Sequence, residues 1–436
     1  MSDITIQDPI LKNQKLFSKV EAGDLNKYIK TRELFIEYDT ELFVDDSILN
    51  IPIISNILPL AWLAGSNIYV KNLDKNFKIS MDKLKQFFKS IYPKAPFTTE
   101  IFAEELIENK IKIDNPDRKT GLLFSGGADS VYSLLTNMNL KPRLIMSWGI
   151  DNFPYPERSE HWEKTISIYK EFASQKGLDF NLVKTNASQV LDTRRIGHRF
   201  HRELYDGAIR AALQHSLILL PLAAPLSMGR FNHLIIASTF IPSYDFSKHP
   251  RAAVPEADER IIWADLTVKH DGFALSRNDK IFVEIAEYLK RDPFTLRVCL
   301  RSPFIDGKIN DSTCEKCLRT IASLTLAGVD PNLCGFQVDD STFKEMREYW
   351  ENAKFSHPGY HWTQIKNAIP SILDDDFYGS KEFFEWFRGF DFKTVEKNWF
   401  YRDLYTALPY SIAKYLDMLY GKIGIQVHQE PVIREK

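Results

Sequence analysis

Thr120 to Leu135 read T-G-L-L-F-S-G-G-A-D-S-V-Y-S-L-L, a short apolar run that meets two glycines and passes at once into a helical pattern. Leu122–Phe124 is predicted as a strand, and Val131, Leu134 and Leu135 have the spacing of one helix face. Between them lies Ser125-Gly126-Gly127-Ala128-Asp129-Ser130. Paired glycines let the backbone turn sharply with its N–H groups exposed. The helix start behind them adds unpaired donors and a positive dipole end, and Ser125 and Ser130 add hydroxyls. Such a turn is suited to cradle phosphate. Asp129 makes chemical sense inside an anion site as the holder of a Mg²⁺ shared with the phosphates. A plain strand–turn–helix corner would also use the glycines, for the turn alone. Neither G-x-x-x-x-G-K-[ST] nor G-x-G-x-x-G occurs in the chain.

From Lys119 onward the rhythm is strand, helix, strand, helix, which predicts a parallel sheet covered by helices. Strands are expected at Leu122–Phe124, Leu144–Trp148, Phe180–Val183, Leu234–Ser238 and Leu296–Cys299. Helices are expected at Ser130–Met138, Glu157–Gln175, Tyr205–Leu222 and Asn278–Leu289. Nucleotide sites in such sheets lie at the carboxyl ends of strands. The loops after Phe124, Trp148, Val183 and Ser238 are therefore expected to form an ATP pocket, with Trp148 and Gly149 joining Ser125–Ser130. Residues 1–116 read as a small α+β accessory domain, with strands at Leu34–Tyr38 and Ile68–Val70 and a helix at Met81–Tyr92. Residues 117–334 form the central domain, and 335–436 a helical, aromatic-rich region whose aromatics are expected to pack helices together.

The second constellation is Cys299 followed by Asn310-Asp311-Ser312-Thr313-Cys314-Glu315-Lys316-Cys317. Two thiols at C-x2-C and a third upstream are zinc-ligand chemistry. The fourth ligand is left open between Asp311, Cys334, a histidine and water, as is a metal-free cluster of buried thiols.

Composition excludes more than it assigns. Net charge is −2 over 436 residues, so no global basic field exists for holding nucleic acid, although a local patch would remain compatible. Hydrophobic content of 44% predicts a packed globule. Ile51–Ala64 is interrupted by Pro52, Ser55, Asn56 and Pro59, so no membrane-spanning run is expected, and the Met1 end lacks the pattern of a signal peptide. Four cysteines suit a reducing cytoplasm. His215 reads as a core residue, His198 and His201 lie in a basic run, and Pro358-Gly359 separates His357 from His361.

The S-G-G-x-D-S string resembles the pyrophosphate loop of the N-type ATP pyrophosphatases. The cysteine pattern is similar to that of their QueC-like branch, in which Asp311 would occupy the first position of a C-x2-C-x2-C triple. Further likeness runs through Ser247-Lys248-His249-Pro250, His270-Asp271-Gly272, Ser276 to Ile281, Leu296–Cys299 and Cys314–Thr320. It covers roughly the middle half of the chain and fits a longer branch, some members of which lie in bacterial antiviral gene clusters. The resemblance implies a Rossmann-like (HUP) sheet and adenylation of a carboxylate, such as a 7-carboxy-7-deazaguanine acid, by ATP. Ammonia or a protein amine then displaces AMP. It further implies Asp129 as the magnesium ligand, Lys280 and Arg277 as carriers of transition-state charge, and Cys299, Asp311, Cys314 and Cys317 as zinc ligands. Ser247, Lys248, His249, His270 and Asp271 are expected near the substrate, although for His249 and His270 plain loop hydrogen bonding fits equally well. A tRNA-modifying pyrophosphatase and a non-catalytic nucleotide-binding partner share the loop and stand as alternatives.

Overall fold

The computed structural model describes residues 2–150, 155–156, 159–204, 209–247, 250–299, 308–352, 359–371, 373, 376–392, 408, 411–412 and 415–416. Lys248, His249, His357 and most of the chain beyond 392 lie outside the described residues. The chain divides into two compact units, residues 1–125 with 129–274 and residues 126–128 with 275–436. This division differs from the boundaries expected at 116 and 334.

The first unit is built on one mixed sheet of eleven strands. Its parallel part contains β7 (Thr120–Leu123), β8 (Arg143–Trp148), β9 (Phe180–Thr185), β10 (His233–Ala237) and β11 (Thr267–Asp271), in the spatial order β11-β10-β7-β8-β9. The interior positions of β7 to β10 are buried on both faces, which explains their uninterrupted apolar runs. Chain order runs outward from β7 to β9 on one side and from β10 to β11 on the other. The order therefore reverses between β7 and β10, where open α/β sheets leave a crevice at their carboxyl ends.

The N-terminal strands extend this sheet. They are β1 (Ile4–Ile6), β2 (Ile10–Lys12), β3 (Lys15–Glu21), β4 (Glu33–Tyr38), β5 (Ile68–Asp74) and β6 (Ile101–Ile107). β4 pairs antiparallel with β9, Ile36 opposite Thr185, and Asn186 fastens the junction by accepting from Phe35 N at 2.9 Å and donating to Glu33 O at 2.9 Å. That shared ladder is why residues 1–116 do not separate from the strands after them.

Asp45 caps α1 (Asp46–Ala64) by accepting from Ser47 N at 2.8 Å, and Gly65 ends it in the left-handed region at φ +67°. Pro52 and Pro59, which interrupt the apolar run in the sequence, lie inside the helix. By length and composition α1 is apolar enough to cross a membrane, yet every residue from Ser47 to Ala64 is buried in the fold. Its polar residues are spent inward: Asn50 Nδ2 donates to Asn72 O at 2.9 Å and Asn56 Nδ2 to Ala187 O at 3.0 Å. α1 and α2 (Lys75–Ile91) cover β5, while α3 (Ala128–Thr136) follows β7 and α4 (Ser159–Gln175) packs against β9.

The second unit is helical where described. Its helices are residues 277–289, with a π turn at Ile281–Ile285, then α5 (Glu315–Leu326), α6 (Thr342–Glu351), α7 (Gly359–Ala368) and α8 (Ser380–Gly389). Phe343, Met346 and Trp350 form the buried stripe of α6, and Phe383, Phe384 and Phe387 that of α8. Trp350 stands 5.2 Å from Trp362 edge to face and 5.6 Å from Phe387, so these aromatics fill a core and do not line a surface.

Candidate functional site

The glycine loop leaves β7 where the strand order reverses. Phe124 N donates to Ile145 O at 2.9 Å, closing the strand, and Gly126 then turns in the left-handed region at φ +78°. Ser130 Oγ, buried on the first turn of α3, accepts from Ser125 N at 3.3 Å and sits 3.2 Å from the exposed Ser125 hydroxyl. Asp129 is half-buried, and its Oδ2 accepts from Thr239 Oγ1 at 3.2 Å. Thr239 follows β10, so this bond ties the loop to the strand across the reversal. Glycine turn, two hydroxyls, a carboxylate and a helix start thus meet at one strand end, a composition able to hold an anion and a divalent cation together.

Trp148 ends β8 buried, stacked on Trp162 at 5.6 Å with planes 20° apart. It also borders an open groove of about 610 Å³ that Lys170, Lys184, Glu163 and Glu171 share. Gly149 has a conformational reason independent of any ligand. Its φ is +104°, and a Cβ there would stand 1.7 Å from Thr185 O.

Of the residues expected around a substrate, Ser247, His270 and Asp271 are described. Ser247 is exposed and donates to Asp245 Oδ1 at 2.5 Å. His270, expected in a polar loop, lies instead on β11 with its side chain wholly buried, its Nδ1 2.6 Å from Asp258 Oδ2 and its ring edge-on to Phe273. Asp271 closes β11 and engages Lys269 Nζ at 2.6 Å and Asn137 Nδ2 at 3.3 Å. In the second unit Ser276 and Asp279 form a reciprocal capping box, each accepting at 3.1 Å, at the head of the helix that carries Arg277 and Lys280. Lys280 is fully buried, and Arg277 borders a cavity of about 10 Å³ with Asn278, Arg319 and Gln364.

The cysteine cluster is assembled by a different device. Leu296–Cys299, expected as a strand, has no strand partner among the described residues; Asn310 holds its backbone. Asn310 Oδ1 accepts from Val298 N at 3.0 Å and Cys299 N at 3.2 Å, while Nδ2 donates to Leu296 O at 2.7 Å and Gly335 O at 3.1 Å. Asp311 Oδ1 then accepts from Thr313 N at 2.9 Å and Cys314 N at 2.8 Å, with Ser312 at φ +61° making the turn. This turn puts Cys314 at the N-cap of α5 and Cys317 on its first turn.

As a result Cys299, Asp311, Cys314 and Cys317, all buried, bring their ligand atoms within 4.8 Å of one another. Cys299 and Cys314 Sγ are 3.7 Å apart. Two sulfurs each bound to zinc at about 2.3 Å with tetrahedral angles would be separated by about 3.8 Å. The donor set and its spacing therefore suit a metal such as zinc, and Asp311, not Cys334, completes the four. Burial pushes the Cys299 thiol up, but hydrogen bonds from the Cys314 and Cys317 thiols outweigh it and bring it down to about 4. Burial and those same contacts hold Cys317 well above the usual thiol range. Burial and Asp330 push Cys334 up to about 12, the state of an inert structural thiol.

Sequence reading overlooked Thr239 and Asn310 as individual residues. Neither carries a local signal, since Thr239 acts on a residue 110 positions away and Asn310 acts through backbone groups on both sides of the cluster. No known protein family, no curated protein and no solved structure matches the chain.

Proposed function

We propose that this chain is an ATP-dependent carboxylate–amine ligase that releases pyrophosphate, resembling the QueC-like N-type pyrophosphatases. The observation that carries the reading is the S-G-G-A-D-S turn at the end of β7, beside the reversal of strand order, with Asp129 tied to Thr239 across it. A carboxylate is a poor electrophile. In the proposed reaction its oxygen attacks the α-phosphorus of ATP and pyrophosphate leaves, giving an acyl-adenylate. A nitrogen nucleophile then attacks the carbonyl carbon, loses a proton and expels AMP.

Ser125–Ser130 would hold the departing pyrophosphate through backbone N–H groups and hydroxyls. Asp129 would anchor the Mg²⁺ that neutralises its charge, and Arg277 and Lys280 are assigned the remaining positive charge. Cys299, Asp311, Cys314 and Cys317 would hold zinc as a structural element that contributes folding free energy. The proposed acid is of the 7-carboxy-7-deazaguanine type, the acceptor is ammonia or a protein amine, and the setting is antiviral defence.

The test incubates the chain with ATP, Mg²⁺ and 7-carboxy-7-deazaguanine, with ammonia or with a protein encoded beside it. AMP and a product of amide mass are expected. AMP formed with other carboxylates but never with the deazaguanine acid overturns the substrate, and no AMP with any carboxylate overturns adenylation.

A further inference from the structure

We infer that the metal centre and the glycine loop are energetically coupled, with Asn310 and the Arg297 backbone as the link; the inference rests on the proposed anion-binding role of the loop. Gly126–Ala128, the middle of that loop, belong to the same compact unit as the cysteine cluster. A backbone bond joins the two, Arg297 N donating to Gly126 O at 2.8 Å. Arg297 lies two residues before the ligand Cys299, in a segment that has no strand partner among the described residues. What fixes this segment is Asn310, buried and directly before the ligand Asp311, together with a bond from Leu296 N to Cys334 O at 3.1 Å. Metal ligation would tie Cys299 and Asp311 to one point and thereby stiffen both ends of the Asn310 clasp.

The consequence for the loop follows from peptide geometry. A peptide unit is planar and trans, so the Gly126 carbonyl and the Gly127 N–H point in opposite directions along one rigid plane. Holding that carbonyl on Arg297 sets the direction of the Gly127 N–H, one of the donors in the proposed cradle. Gly126 turns at φ +78°, where glycine is conformationally permissive, and the Arg297 bond restrains the plane that follows it. Coupling of this kind is reciprocal: an anion bound at the loop must favour the metal-bound state as much as the metal favours the anion.

The experiment measures transfer of zinc from the loaded full-length chain to a chromophoric chelator, with and without saturating magnesium pyrophosphate, after pyrophosphate binding has been measured directly. Transfer should slow by about tenfold with pyrophosphate bound. Free pyrophosphate also binds zinc, so the same pyrophosphate concentration is applied to free zinc with the chelator, and the slowing counted is what exceeds that control. Arg297→Ala keeps the N–H and should keep the slowing. Arg297→Pro deletes the N–H and should lose it while zinc stays bound, and Asn310→Ala should lose it as well. Equal transfer rates with and without bound pyrophosphate in the natural chain overturn the coupling, as does slowing that survives in Arg297→Pro. Failure of the zinc-loaded chain to bind pyrophosphate at all overturns the loop reading itself, and the coupling with it.

Discussion

Replacing Gly149 by alanine separates a structural requirement from a ligand contact. The new Cβ would meet Thr185 O at 1.7 Å, whereas real Cβ atoms essentially never come within 3.0 Å, so the carbonyl must retreat by more than an ångström. It has little room to do so. Thr185 is fully buried on β9, its hydroxyl donating to Phe35 O at 2.6 Å across the β4 junction and accepting from Ala187 N at 3.1 Å. Gly149 O is itself engaged by Ser188 N at 3.3 Å. A non-glycine residue at this φ costs about 1–3 kcal/mol before any clash. The displaced junction should bring the total to about 3–5 kcal/mol, a large part of the ~5–15 kcal/mol that holds a typical domain together. Urea unfolding followed by far-ultraviolet circular dichroism measures the loss. A Gly149→Ala chain within about 0.5 kcal/mol of the natural one would refute the reasoning.

Three further outcomes are expected. Elemental analysis of the reduced protein should find one zinc per chain, and Cys314→Ser should lose both metal and stability; a folded, metal-free natural chain contradicts this. Removing the buried hydrogen bond between His270 and Asp258 by Asp258→Ala should destabilise the protein by about 1–3 kcal/mol. His270→Ala should likewise lower Tm without a selective rise in KM, which a substrate contact would give. Cys334 should resist iodoacetamide at pH 8 in the folded chain and react after denaturation. Its thiol ordinarily ionises near 9.0 and in the fold near 12. Between those values the unfolded chain sheds the proton and the folded chain keeps it, so stability falls as the pH rises, by at most about 1.4 kcal/mol per pH unit. Cys334→Ala should remove that part of the decline in alkaline unfolding curves.

Much of the parallel sheet was legible because strands buried on both faces write themselves as apolar runs, and β7, β8, β9 and β10 each fall within a residue or two of expectation. β11 was not, since Thr267-Val268-Lys269-His270-Asp271 is short and polar and lies at the end of the sheet. The opposite error occurred at Leu296–Cys299, where an apolar segment reads as a strand but a buried asparagine satisfies its backbone. α1 was obscured by its prolines, whose helix-breaking effect the surrounding core overrides. The joining of residues 1–116 to the parallel strands depends on pairing between β4 and β9, about 150 positions apart, which no local pattern reports. Of the candidate site, the three cysteines and the glycine loop were readable from spacing. Asp311 stood among the expected ligands, with Cys334, a histidine and water as alternatives, and the turn at Ser312 brings it to the three cysteines; the partners Thr239 and Asn310 came only from the fold.

The claim that Ser125–Ser130 is a pyrophosphate-handling loop meets its most direct test in ATP–pyrophosphate exchange. The zinc-loaded chain, with Mg²⁺ and a panel of carboxylic acids including 7-carboxy-7-deazaguanine, is given labelled pyrophosphate, and label entering ATP is counted. The account predicts acid-dependent exchange in the natural chain and none in Asp129→Ala, with the variant's circular dichroism spectrum and zinc content unchanged. Exchange by Asp129→Ala at the natural rate would contradict it.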